Sequence, residues 1–297
     1  MNGGARLVTK ITQEMIRLYD EYTHITLDRR RFMERLTLAA GSAAAAGAIL
    51  PLIEANQAAA AMIAADDPRL VSETVTFKGA TGDVKGYLVR PKAATGKLPA
   101  VVVIHENRGL NEYTRDVARR VAAEGFLALA VDFLSPAGGT PADEDKAREM
   151  IGQLNADDTI KNAVAAVAFL DAHPMSTGKV GAVGFCWGGG MVNRTAVNAP
   201  NLDAAVAYYG QVAQAADVPK IKAKLLLHYA GLDDRINAGI ADYEAALKAA
   251  GKDYTKYVYD NVNHAFHNDT AAARYDKAAA ELSWQRTMDF FKKTLAG

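Results

Sequence analysis

The stretch Ala100-Val-Val-Val-Ile104 carries no polar side chain, and it constrains the fold more than any other feature of the chain. A strand that is apolar on both faces belongs in the interior of a sheet covered on both sides, the usual place of parallel strands. Phe126–Val131, Lys179–Val183, Ala204–Tyr208, Lys224–His228 and Thr255–Tyr259 read as further strands. Helical segments separate them, including Thr114–Glu124, Ile160–Asp171 and Ala241–Ala250, and a final helix runs from about Ala279 to Lys293. Ahead of these, Val71–Phe77 alternates polar and apolar residues, Gly82-Asp83 marks a turn, and Val84–Val89 supplies the hairpin partner. The expectation is an α/β fold with a mainly parallel sheet, helices on both faces and an N-terminal hairpin. In such folds chemistry gathers outside the carboxyl ends of the strands.

A chain of 297 residues has room for one large domain of this kind. Its 34 basic residues balance 34 acidic ones without a long block of either sign. That balance argues against a nucleic-acid partner or a standing membrane-surface role, and suits a small, near-neutral substrate. No HExxH or paired CxxC spacing occurs, so neither metal nor cofactor is expected. A single cysteine excludes an internal disulfide. Nothing in the pattern specifies an oligomeric state.

Residues 1–65 differ from the domain expected over 66–297. Asp28-Arg29-Arg30-Arg31-Phe32-Met33 precedes a mild apolar run, Leu36–Ile53, and Ala58, Ala59 and Ala60 offer a small-residue cleavage site. The order resembles a twin-arginine export signal and implies a periplasmic location. The alternative is an amphipathic helix packed on a cytoplasmic protein. Gly, Pro51 and Glu54 interrupt the run too often for a permanent membrane span.

Gly184-Phe185-Cys186-Trp187-Gly188 joins an apolar strand to a Gly-rich helix start. This is the nucleophile-elbow pattern with Cys in place of Ser: the turn lifts Cys186 clear of the backbone, and the following helix N-terminus favours a thiolate. The Trp187 N–H would face a developing oxyanion. The bland alternative is a small buried cysteine whose glycines merely permit close packing. Among the histidines, His264 follows the last strand, where this architecture places its base, and is preferred by position over His267. His24 and His173 are expected to face solvent, and His228 to be a hydrogen-bonded core residue. Gly231-Leu-Asp-Asp-Arg-Ile236 offers the orienting acid in the order Cys, Asp, His. The spacing of Asp233 to Ile236 favours Asp233, that of Gly231 to Asp234 favours Asp234; Asp233 is chosen, leaving the other a turn or capping role. After the central strand, Glu106 either restrains the thiol through a hydrogen bond and like-charge repulsion, or caps the loop or pairs with Arg108.

His105-Glu106, Gly184–Gly188, Gly231–Ile236 and His264-Ala-Phe266 together resemble the dienelactone hydrolase family of the α/β-hydrolase superfamily, from about Val71 onward. The resemblance implies a cofactor-free ester or lactone hydrolase (carboxymethylenebutenolidase-like) with Cys186 as nucleophile, His264 as base and Asp233 as orienter. It further implies Glu106 as the group restraining the thiol, and the backbone N–H groups of Asn107 and Trp187 as oxyanion donors. The family's carboxylate-binding arginines are missing: their neighbourhoods read Ser135-Pro136-Ala137 and His267-Asn268, and Arg108, Arg115 or Arg235 could substitute. Pro136–Asn155 suggests part of a lid, and Trp187 and Phe266 suggest pocket walls or core. Two other readings stand beside hydrolysis: a redox-active thiol, weakened by the lack of a resolving cysteine, and a non-catalytic binding protein on the same scaffold.

Overall fold

The computed structural model describes residues 10–24, 27–56 and 61–296. Eight strands form one sheet: β1 (Leu70–Gly79), β2 (Gly82–Pro91), β3 (Leu98–Ile104), β4 (Leu127–Asp132), β5 (Ser176–Phe185), β6 (Ala204–Tyr208), β7 (Lys224–Ala230) and β8 (Tyr254–Tyr259). Their spatial order is β1-β2-β4-β3-β5-β6-β7-β8. The hairpin β1–β2 joins β4 antiparallel at one edge, and every pairing from β4 to β8 is parallel. Each expected strand is present, and the sheet is the α/β-hydrolase arrangement. The strand order depends on long-range pairing that no local run of residues reveals, above all the crossing that sets β4 between β2 and β3.

Ten helices accompany the sheet among the described residues: α1 (Gln13–Thr23), α2 (Arg29–Ala40), α3 (Ala43–Ile53), α4 (Glu112–Ala123), α5 (Glu144–Gly152), α6 (Ala156–Asp171), α7 (Trp187–Asn198), α8 (Asp234–Asn237), α9 (Ile240–Ala249) and α10 (Lys277–Leu295). Because side chains alternate across a strand, the sheet feeds two cores. On one face Val102, Ile104, Leu129 and Val131 pack with Ala163, Val167 and Leu170 of α6. On the other, Val101, Val103 and Ala128 pack with Val117 and Val121 of α4 and Phe291 of α10. Thus β3 is buried on both sides, as its lack of polar residues requires.

The N-terminal segment forms three helices with a cluster of their own. Met15, Leu18, Tyr19 and Tyr22 of α1 meet Phe32 and Leu36 of α2 and Ile49 and Ile53 of α3. Asp28 caps α2, accepting from the Arg31 N–H at 3.0 Å, and Gly41 ends it at φ 82°. Among the described residues no single helix is long and apolar enough to cross a membrane; α2 and α3 pass by length and composition only as a pair bent by 107°. Ala58, Ala59 and Ala60 lie outside the described residues.

Candidate active site

The turn after β5 explains its glycines. Cys186 sits at φ 56°, ψ −116°, a conformation L-residues avoid, between the end of β5 and the first turn of α7. A Cβ on Gly184 would run into the Gly188 carbonyl, and one on Gly188 into the backbone carbonyls of Ile104 and His105. The Cys186 N–H donates to the Tyr208 carbonyl at 3.0 Å and its carbonyl accepts from Gly190 at 3.2 Å, locking the residue over the junction of β5, β6 and α7. Its side chain is nearly buried, at 7% exposure.

The loops after β7 and β8 are tied together by Gly231 N–H to the Tyr259 carbonyl (2.7 Å) and Leu232 N–H to the Val262 carbonyl (3.0 Å). That clamp sets Asp233 against His264, whose Nδ1 lies 2.5 Å from Asp233 Oδ2. The other carboxylate oxygen of Asp233 accepts from the Ile236 N–H at 3.2 Å, so the helix-capping role expected of the unchosen acid also falls to Asp233. Asp234 is exposed and faces Arg17 at 3.8 Å. Pointing the other way, His264 Nε2 is buried and has no hydrogen-bond partner among the described residues. His267 instead meets the Tyr113 hydroxyl at 2.8 Å. His228 lies in the core between Thr287 and Tyr259, where burial pushes it down to about 3. His173 is partly exposed, as expected.

His24 is where the expectation fails. It does not face solvent: its Nε2 lies 3.2 Å from Cys186 Sγ, and its ring packs edge-on against His264 with centroids 4.8 Å apart. His24 ends α1, and its Nδ1 donates to the Asp20 carbonyl at 2.7 Å. Two imidazoles, each backed by an aspartate residue, therefore face one thiol. Burial pushes the Cys186 thiol up, but His24 and His264 outweigh it and hold it well below the ordinary thiol range. Burial alone would depress His264; Asp20, Asp233 and Cys186 reverse that and hold it well above the usual histidine range. The ligating atoms of His24, Cys186 and His264 all lie within 4.8 Å of one another. A soft divalent cation accepts such donors, though it would engage the same thiol and imidazole that acyl transfer uses.

Glu106 is half-buried beside this group. Its Oε2 accepts from Asn268 Nδ2 at 2.7 Å, while Oε1 is buried without a partner among the described residues. Burial, then the charge on Cys186, raises its carboxyl to about 7. The pairing with Arg108 does not form; Arg108 bonds Asp145 Oδ1 at 3.1 Å and the Tyr19 hydroxyl at 3.3 Å. Asn107 lines the same cavity and its Nδ2 donates to the Thr23 carbonyl at 2.7 Å. Phe266 is wholly buried and belongs to the core, whereas Trp187 is half-buried, stacking on His105 at 5.2 Å against the edge of the core.

Arg274 was not among the expected arginines, yet it lines the cavity with Cys186 and Glu106, stands 5.0 Å over the Tyr19 ring, and leaves Nε buried without a partner. Of the three proposed substitutes only Arg108 reaches that cavity. Arg115 covers the Tyr87 ring, and Arg235 faces Asp20 at 3.6 Å.

A parallel sheet with a strained residue between β5 and α7, and an acid–imidazole pair on the loops after β7 and β8, defines an α/β-hydrolase. The dienelactone hydrolase family model matches residues 84–295, and the chain belongs to that family. A protein of Escherichia coli O157:H7 described as "Putative carboxymethylenebutenolidase" is 30% identical over 254 residues, covering 80% of this chain and 93% of its own. A dienelactone hydrolase-like promiscuous phosphotriesterase from metagenomic libraries superposes with a TM-score of 0.69 at 25% identity, covering 77% of this chain and 100% of its own. The dienelactone hydrolase of Anabaena variabilis shares the fold, with a TM-score of 0.60 at 22% identity over 76% of this chain and 99% of its own. The protein is a hydrolase of the kind that acts on esters or lactones.

Proposed function

We propose that the protein cleaves a carboxylic ester or lactone through a Cys186–His264–Asp233 relay. The observation that carries this reading is the 2.5 Å contact of His264 Nδ1 with buried Asp233, which leaves Nε2 unpartnered on the side of the thiol. The thiolate attacks the carbonyl carbon and its electron pair forms the C–S bond, while the carbonyl π pair moves to oxygen. Backbone N–H groups of Asn107 and Trp187 receive that oxyanion. As the tetrahedral adduct collapses, the C–O bond breaks and imidazolium His264 gives its proton to the departing alkoxide. Water, deprotonated by the same imidazole, then attacks the thioester; the acid leaves and the thiolate returns.

Glu106 in this reading opposes the thiolate and restrains its reactivity until substrate is bound. Arg274 and Arg108 favour a substrate that carries a carboxylate of its own, in place of the family's arginines that are missing near Ser135 and His267. For the N-terminal segment we retain export through Arg29-Arg30-Arg31 as the proposed route to the periplasm; cell fractionation of wild type and a twin-lysine variant at Arg29 and Arg30 tests it. The catalytic reading is tested by a panel of enol-lactones and aryl esters with detection of the Cys186 acyl adduct by mass. Turnover surviving in Cys186→Ala would sink it.

A further inference from the structure

The cavity over Cys186 measures about 30 Å³; Tyr19, Thr23 and His24 from the end of α1 and Ala55 from just after α3 supply part of its wall. Small-molecule sites run to roughly 300–1,000 Å³, about ten times that volume or more. A cleft of about 150 Å³ on the other side of α1 is lined by Asp20, Asp233, His264 and Arg274. His264 and Arg274 border both spaces, so α1 divides what would otherwise be a single cleft.

The contacts that seat α1 fall on groups a substrate would use. His24 Nε2 lies 3.2 Å from the thiol sulfur, on the group His264 would otherwise serve alone. The Thr23 carbonyl takes the Asn107 side chain, and Tyr19 covers Arg274 and Arg108. The clasp is polar. Arg148 of α5 donates to the Tyr22 carbonyl at 3.3 Å and its hydroxyl at 2.9 Å, and lies 4.1 Å over its ring. Arg29 reaches Asp145 of the same helix at 2.9 Å across an exposed surface. Meanwhile α1–α3 bury their apolar side chains chiefly against one another. A unit with its own core and a polar attachment can lift without exposing a second core.

We propose that α1 is a built-in occupant of the substrate cleft, anchored by His24 on Cys186, and that esters reach the thiol only when the α1–α3 unit withdraws. The proposal rests on Cys186 being the nucleophile, but its test does not depend on turnover. Cys186 is the only cysteine, so iodoacetamide labelling of the full chain followed by mass reports its access directly. Tyr22→Phe with Arg148→Ala removes three charge-assisted bonds from the clasp, the third being Arg29 to the Tyr22 hydroxyl at 3.2 Å, and Arg29→Ala weakens it from the surface should the first variant misfold. Loss of one such bond is worth about tenfold in a docking equilibrium. The first variant should label at least about tenfold faster than wild type, with amide exchange rising in α1 and not in β3, and its ester hydrolysis should rise in parallel. Labelling as fast in wild type as in both loosened variants would overturn the proposal, as would faster labelling with hydrolysis reduced, which makes α1 a required part of the site. Faster labelling with no ester cleaved by any form would leave the occlusion standing and remove the hydrolase reading instead.

Discussion

Replacing Glu106 by Gln tests the electrostatics of the site without disturbing its shape, because the amide oxygen can still accept from Asn268. The carboxyl is raised from 4.5 to about 7, first by burial and second by the charge on Cys186. That displacement amounts to roughly 3 kcal/mol in all, with burial the larger cause and the thiolate the second. The coupling is mutual, so an ionised Glu106 must raise the energy of a negative charge at Cys186 by as much as the thiolate's share. Below about 7 the carboxyl is neutral and exerts no such field; above it, the field is present. An anionic reagent brought to the thiol should feel it, and an uncharged one should not. The ratio of alkylation rates for iodoacetate and iodoacetamide should therefore fall by about tenfold as pH rises through the Glu106 value. Glu106→Gln should keep the ratio flat over the same range. Taking a ratio cancels any opening step common to the two reagents. A flat ratio in wild type, or the same step in Glu106→Gln, would refute the coupling and with it the restraining role.

Asp233→Asn should lower kcat by about three to four orders of magnitude, since the amide cannot hold the imidazole tautomer or its charge. Asp234→Asn, at an exposed position, should change kcat less than twofold in the same assay. Arg274→Ala should raise KM for carboxylate-bearing lactones by about tenfold and leave neutral aryl esters nearly unaffected, read from the two specificity constants. Phe291→Ala empties a fully buried ring site between Phe126 and Gly181 and should cost about 3–5 kcal/mol in urea unfolding. Gly188→Ala, which drives a Cβ into the carbonyls of Ile104 and His105, should fail to give a folded protein with intact near-ultraviolet dichroism.

The sheet was legible because burial on two faces leaves a plain mark: Ala100–Ile104 and Ala204–Tyr208 could hardly be anything but interior strands. The turn at Cys186 was legible for a related reason, since close backbone approach admits only glycine at 184 and 188. What escaped was whatever depends on residues distant in sequence meeting in space. Helix α5 lay hidden in Pro136–Asn155 because its surface is largely polar; only Ala147, Arg148 and Ile151 turn inward, and Arg148 does so to hold Tyr22. Arg274 belongs to no motif, ten residues beyond His264 in an irregular loop, and only folding brings it to the cavity.

His24 is the instructive miss, because a signal for it was present. Met15, Leu18, Tyr19 and Tyr22 recur at i, i+3, i+4 and i+7, the stripe of a helix with one face to bury. A leader over residues 1–65 gives that stripe no partner, although export and packing are not exclusive. A twin-arginine pattern is a short address, and nothing in its chemistry prevents the flanking helices from folding onto the domain they accompany. The stripe demands a partner surface, and α2 and α3 supply most of one. The turn that follows it then delivers His24 to the thiol. Two features that read separately as an export signal and a nucleophile elbow are thus joined by a 3.2 Å contact. Any account of the enzyme's activity has to begin with whether that contact is made or broken.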